Sequence, residues 1–356
     1  MGTEQRGRAM RILAVTTVRD EGPYLLEWIA HHMGAGVTDF LIYSNDCSDG
    51  TAQMLDTLHD AGVICHQPQQ RETGKSVQWQ ALNAAWKHPM RKTADWAWVA
   101  DVDEFLNIHT SGHDIPALLA ALPDGVDAVA VPWRLYGHNG VVEIADAPVT
   151  EQFTRAIPAD AQFPIAATLF KSLVRLDGPF NQFGVHRPRQ KRPEKNGLPR
   201  FVDGSGQWLS EAFSGQRGRL SLYGLGAGRE MVECNHYAVR SAAGFLLKKA
   251  RGLPNRAEKA VDLAYWVERN FNTVEDRSIA AMRPATEARL EALRAIPGLA
   301  DLHETSVAWH RARFEEMVRT PEHQRLLVQI LTAGGSTVPP EPVQRKLIAW
   351  YRAAHG

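Results

Sequence analysis

The stretch WAWVADVDEFLN, residues 96–107, carries an apolar run that ends in Asp101 and Asp103, one residue apart, with Glu104 next. Carboxylate oxygens are hard ligands that suit Mg2+ or Mn2+, ions that keep several waters and also bind substrate phosphates. The chemistry in view is therefore the holding of a diphosphate and the neutralisation of charge that develops on it. Neighbouring odd-numbered side chains of a regular strand share a face only while the strand lasts, and at its end the backbone turns, so both acids can approach one cation there. The alternative is that they cap the following turn or pair with Arg or Lys.

The elements that must position these acids are legible from hydropathy. RILAVTTV is a short β-branched run and predicts a buried strand. DEGPYLLEWIAHHMGAG predicts a helix with Pro23 in its first turn, Leu25, Trp28, Ile29 and His32 on one face, and Gly34 and Gly36 as its stop. FLIYS is a second strand, followed by a turn in which Ser48 and Asp49 are N-cap residues. TAQMLDTLHDAG, VICHQ, SVQWQALNAAWKH (closed by Pro89) and WAWVA continue the alternation. Strand and helix in turn imply βαβ units, a mainly parallel sheet and helices on both faces. Ligands of such sheets bind beyond the carboxyl ends of the strands. Asp101 and Asp103 fall on that edge, and the loops TTVRDEG and YSNDCSDG should reach it too. Later come a helix around IPALLAALP and a strand at DAVAVPWRLYG. Residues 137–235 mix short strands with Gly- and Pro-rich loops, among them the basic stretch HRPRQKRPEKNGLPR. The helical period dominates from about residue 240 onward.

Composition bounds the function class. The chain has 356 residues, 44% of them apolar, and 40 basic residues balance 40 acidic ones. Zero formal charge argues against a dedicated nucleic-acid binder. Cys47, Cys65 and Cys234 are few, odd in number and far apart, which fits no disulfide framework or zinc pattern and points to a reducing compartment. No run is long enough to span a bilayer. The expectation is a soluble cytoplasmic protein, with a flexible leader over residues 1–9. ETGKS lacks the first glycine of a P-loop, since Gln69 stands there, and HETSV lacks the second histidine of a zinc-protease helix.

With these motifs in hand, the chain resembles family-2-like glycosyltransferases of the GT-A fold, in the branch that also resembles family 92. TTVRDEGPYLLEWIAHHMGAGVTDFLIYSNDCSDGT resembles the opening of such enzymes and VADVDEFL their D-x-D-E-F motif. PWRLYGHNG, FGVHRP and NHYAVRSAAGFLLKKARG resemble later motifs. The resemblance covers roughly residues 11–275 and is specific because five motifs occur in order. It implies a GT-A-type nucleotide-sugar-binding and catalytic domain over residues 10–235, followed by a mainly helical region over 236–356. It further implies that Thr17, Arg19, Asp20 and Glu21 border the nucleotide, that Asn45 and Asp46 lie by the base or ribose, and that Lys75 and Gln78 face the nucleotide from the third helix. Asp101 would contact ribose or metal-bound water, and Asp103 would be the direct ligand of Mn2+ or Mg2+. His186 or His236 would complete the coordination or touch the diphosphate.

The implied reaction moves a sugar from a nucleotide sugar, UDP-linked and with inversion, to a glycan or lipid-linked acceptor, with the inner membrane face as one setting. Transfer with inversion needs a base within reach of the acceptor hydroxyl. Glu104, Asp177 and Asp203 are the candidates, each with a purely structural role as the alternative. His138 is a candidate for the acceptor site, and Trp133 and Trp208 for sugar stacking, with core packing as the alternative for Trp133. Lys248 and Arg251 share a helix face, near Arg240 and Lys249, and would meet phosphates or stay solvated. Two other readings remain. One is a haloacid-dehalogenase-like phosphohydrolase with Asp101 as nucleophile, against which stand the motif's place on the fourth strand and Glu104 after it. The other is a non-catalytic nucleotide- or glycan-binding protein.

Overall fold

The computed structural model describes residues 8–190, 195, 197–252 and 261–355. Most of the expected leader (residues 1–7) and part of the basic stretch (191–194 and 196) lie outside the described residues. Strand and helix alternate as the hydropathy demands: β1 (Ile12–Val18), α1 (Gly22–Gly34), β2 (Asp39–Ser44), α2 (Thr51–Asp60), β3 (Cys65–Pro68), α3 (Val77–Lys87) and β4 (Trp96–Val99). Pro23 sits in the first turn of α1, and the Ser76 hydroxyl caps α3 by accepting from the Trp79 amide. Pro89 does more than stop α3. It opens a short helix, Pro89–Thr93, because a missing N–H is harmless in a first turn.

The remaining strands are β5 (Glu104–Ile108), β6 (Ala128–Leu135), β7 (Arg155–Ala156), β8 (Phe170–Arg175), β9 (Phe201–Val202), β10 (Val232–His236) and β11 (Val274–Glu275). Among the described residues they form a nine-stranded sheet in the order β3-β2-β1-β4-β8-β6-β10-β5, with β9 beside β6, and a separate β7–β11 pair. The β1–β2, β1–β4, β2–β3, β6–β9 and β6–β10 pairings are parallel. Strand β8 runs antiparallel to both β4 and β6, and β5 to β10. The fold is thus α/β, with a mainly parallel sheet flanked by helices. A helical C-terminal extension follows α4 (Ala242–Arg251): α5 (Arg283–Arg294), α6 (Leu299–Met317), α7 (Pro321–Ala333) and α8 (Glu341–His355). No described helix is long and apolar enough to cross a membrane.

Two features of this frame shape the site. The carboxylates do not end one strand. Asp101 and Asp103 lie in the link between β4 and β5, while Glu104 is the first residue of β5 and pairs in register with His236 of β10. The link therefore spans two parts of the sheet. Helix α1, in turn, is buried nearly all round rather than along one stripe, because α5 and α6 pack on it. Trp28 is fully buried and its indole N–H donates to the Glu104 carbonyl at 2.9 Å, tying α1 to the motif. Burying a ring of that size removes on the order of 200 Å² from water, about 5 kcal/mol as an upper estimate.

Candidate functional site

The ligand edge is built around four buried or half-buried acids, each met by cations. The Asp101 carboxylate accepts from Gln78 Nε2 at 2.8 Å and lies 3.3 Å from Lys171 Nζ. Asp103 is buried. Its Oδ2 accepts from Lys248 Nζ at 2.7 Å, and its Oδ1 stands 3.7 Å from His236 Nε2. Burial alone would raise the Asp103 carboxyl, but Lys248, then His236 and Arg240, outweigh it and hold it well below the usual carboxylate range. Glu104 is fully buried; one oxygen accepts from the Asp101 amide at 2.8 Å and from Lys171 Nζ at 2.9 Å. Burial is the main reason its carboxyl is pushed up to about 8, with Asp101 and Asp103 adding to the effect and Lys171 opposing it. Glu21 receives both Arg240, at 2.8 Å, and Arg251.

A cavity of about 340 Å³ opens over this floor. Asp103, Arg240, Lys248 and Arg251 line it from below, Arg19 and Asp20 from the β1 loop, Ser48 from the β2 loop, and Trp309, His310 and Arg313 from α6. Asp103, after β4, and Ser48, in the turn after β2, therefore line one cavity, while Asp101 lies outside its lining. The backbone around it is constrained. Asp20, Asp46 and Arg240 all have positive φ, at 50°, 47° and 48°; aspartate adopts this region readily, so only Arg240 carries a cost, of about 1–2 kcal/mol.

The other expected residues fall into two groups. Gathered at the edge are Arg19, Asp20, Gln78, Asp101, Asp103 and His236, with Thr17 and Asn45 on the same strand ends. The Asn45 amide reaches the Val18 carbonyl at 3.3 Å, and Asp46, exposed, accepts from Asn45 Nδ2 at 3.1 Å. A chain from Ser44 Oγ to His66 Nε2 (2.7 Å) and from His66 Nδ1 to Asp56 (2.7 Å) steadies the end of β2 beneath them. His186 and His236 bracket Trp133, with ring centroids at 5.0 and 4.0 Å, so Trp133 is packed rather than open to sugar. His186 Nδ1 meets the Phe170 carbonyl at 2.9 Å.

The second group lies apart from the cluster. Asp177 stands at the opposite end of the sheet, since β8 runs antiparallel to β4. Its side chain is 81% exposed and pairs with Arg175 at 3.0 Å. Asp203 is buried and spent on backbone amides, those of Ser205 and Gln207 at 2.9 Å and of Gly228 at 2.7 Å. Glu104 lies beneath the motif with no exposed surface, so its place is under the cleft rather than beside an acceptor. Glu21 is held by two arginines instead of bordering the cavity, and Lys75 is exposed and paired with Glu72. His138 is buried against Asn270 and Trp266, and Trp208 is exposed beneath Arg200.

Sequence reasoning passed over Lys171, Asp49 and the α6 residues. Lys171 carried a signal: a lysine within the apolar strand FKSLVR, now fully buried between Asp101 and Glu104. The N-cap of α2 is Gly50 rather than Ser48 or Asp49, although Asp49 Oδ1 accepts from Thr51 N at 2.9 Å. Its Oδ2, however, gathers Gly22 N, Ser306 Oγ and His310 Nε2 at 3.0, 3.1 and 2.8 Å.

The fit of a hard divalent ion is a matter of donors. Among the described residues no group of three or more His, Cys, Asp or Glu side chains is gathered as a metal centre. Asp103 Oδ1 and His236 Nε2 face each other at a separation too long for a hydrogen bond, and His236 Nδ1 is buried without a partner. These are two donors at most, with Asp103 already bonded to Lys248, so Mg2+ or Mn2+ held here would take most of its shell from water and phosphate oxygen.

The sequence profile of glycosyltransferase family 92 matches residues 15–196, half of the chain. The chain belongs to glycosyltransferase family 92. That membership displaces the phosphohydrolase reading of Asp101. A family 92 protein of Oryza sativa subsp. japonica is 24% identical over 177 residues, 48% of this chain and 28% of that protein. One of Ricinus communis is 26% identical over 144 residues, 39% of this chain and 25% of that protein. The matches thus span about a quarter of the length of these curated relatives. Similar solved structures include S. aureus TarS 1–349 in complex with UDP, at 12% identity, 87% of this chain, 91% of that chain and TM-score 0.33. Another is the mannosyltransferase PcManGT from Pyrobaculum calidifontis in complex with GDP-Man and Mn2+, at 12% identity, 91% and 85% coverage and TM-score 0.31. Likenesses at this level say nothing of substrate or mechanism in the present chain.

Proposed function

We propose that the chain is a glycosyltransferase that moves a sugar from a nucleotide sugar, UDP-linked, to a hydroxyl of a glycan or lipid-linked acceptor with inversion. The observation that carries this reading is the cavity over Asp103, a concave space walled by Arg19, Arg240, Lys248 and Arg251 beside the strand-end acids of a family 92 chain. Its volume suits the diphosphate part of such a donor. In this reading Lys248, Arg240 and Arg251 surround the diphosphate and offset the charge that grows on the leaving group. They are held ready for it, because Asp103 and Glu21 fix their positions before any ligand arrives. Asp101, oriented by Gln78 and Lys171, faces the ribose side. A divalent ion, when bound, adds Lewis-acid stabilisation of the departing phosphate. Asp103 and His236 are the residues that would hold it.

The test is calorimetric titration of UDP into the protein with and without Mn2+, beside release of free sugar from a panel of UDP-sugars. Tight UDP binding that requires Mn2+ and falls at least tenfold in Asp103→Asn is expected, with slow donor hydrolysis. Equal UDP affinity in wild type and Asp103→Asn removes the metal role. Binding without any hydrolysis or transfer favours the non-catalytic alternative.

A further inference from the structure

Helix α6 lies outside residues 15–196, yet it forms one wall of the cavity. Its seating is specific. Ser306 and His310, both buried, bond the buried Asp49 carboxylate, which also accepts the amide of Gly22 at the head of α1. A Cβ on Gly22 would lie 2.1 Å from Ser306 Oγ, so helix and backbone meet with no room to spare. The same Asp49 closes the loop that carries Asn45, Asp46 and Ser48. The wall and the nucleotide-edge loop are therefore one unit.

Three groups of the cavity lining are buried and lack a hydrogen-bond partner: His310 Nδ1, Arg240 Nε and Arg19 Nε. His310 and Arg240 are more than nine-tenths buried. Leaving a buried polar group unmatched costs about 1–3 kcal/mol. His310 Nε2 meets Asp49, and Nδ1, on the other side of the ring, has no partner. Beside it on α6 stand Trp309 and Arg313, both half-buried, and Arg313 pairs with Glu316 at 2.5 Å. The cavity walls carry five cations, Arg19, Arg240, Lys248, Arg251 and Arg313, against Asp20, Asp103 and Glu316, with Glu21 behind Arg240 and Arg251, a surplus of one. A half-buried indole next to a cationic surplus is the chemistry that takes an aromatic base attached to phosphates.

We infer that α6 is part of the donor site, with Trp309 stacking on the base or sugar ring of a nucleoside diphosphate and Arg313 and His310 bonding its polar groups. The inference rests on the donor reading and deepens it. It makes the C-terminal extension a recognition element for the donor.

The probe is UDP, with GDP as a second nucleotide, titrated into the full chain in Mn2+. Trp309→Ala and Arg313→Gln are each expected to weaken nucleotide binding about tenfold or more. Glu315→Gln, an exposed change on the same helix, should bind as wild type. Arg313 is partly exposed, so its variant should melt with wild type and separate recognition from folding. Should Trp309→Ala melt early, Trp309→Leu keeps the apolar volume and the same readout applies. Unchanged affinity in both the Trp309 and Arg313 variants, with wild type binding, overturns the inference and leaves the donor reading standing. Failure of wild type to bind either nucleotide ends both.

Discussion

Replacing Glu104 with glutamine tests the charge arrangement under the motif. Glu104 is fully buried, and its carboxyl is pushed from 4.5 to about 8 by burial and by Asp101 and Asp103, against Lys171. A folded value above the unfolded one means that its stabilising contribution is complete below about pH 4.5. It is lost as pH climbs towards 8. One differing proton changes stability by at most about 1.4 kcal/mol per pH unit. Between about pH 5 and pH 8 this amounts to as much as about 4 kcal/mol. Glutamine keeps the shape, and its amide oxygen can still accept from the Asp101 N–H, now at 2.8 Å. Lys171 retains Asp101 at 3.3 Å. Glu104→Gln should therefore be no more stable than wild type at pH 5 and should gain on it steadily up to pH 8. His31 and His236, whose ring values burial lowers, favour higher pH in both proteins and cancel in the difference. Urea unfolding of both proteins across this range gives the difference curve directly. Two parallel curves would refute the reasoning and mean that Lys171 keeps Glu104 ionised throughout.

Lys171→Met should destabilise the protein by about 1–3 kcal/mol near neutral pH, because Glu104 and Asp101 lose a buried hydrogen-bond partner; urea midpoints read this. Gly22→Ala should cost about 1–3 kcal/mol and loosen α6, since the new Cβ collides with Ser306 Oγ. Amide exchange in α6 would show the loosening, and unchanged protection there would count against a tight seat. His236→Ala should lower Mn2+-supported turnover by about 10–100-fold while moving the melting temperature by only a few degrees; a large melting shift with full turnover would assign the ring to packing against Trp133.

The alternation of strands and helices up to β4 was legible because each element announces itself within a few residues: apolar runs, Pro23 and Ser76 at helix starts, glycines at stops. The same local logic placed Asp101 and Asp103 on the ligand edge, since a parallel sheet sends every strand end to one side. It also picked out Lys248, Arg251 and Arg240 as a basic helix region, without saying whether they meet solvent or phosphate.

What periodicity cannot carry is contact across the chain. Asp49 and His310 are 261 residues apart in sequence, and only folding makes them a buried pair. Nothing near Asp203 in the sequence tells that three backbone amides use it up, and nothing near Asp177 tells that an antiparallel strand carries it to the far edge. The stripe on α1 forecast one buried face, whereas α5 and α6 buried the other as well. By itself the sequence determined the elements, their order and the edge on which the acids emerge, because those follow from local sterics and hydropathy. Which cations meet the acids, and that the C-terminal extension walls the cavity, were decided by tertiary packing, because a charge finds its partner only when distant segments exclude water together.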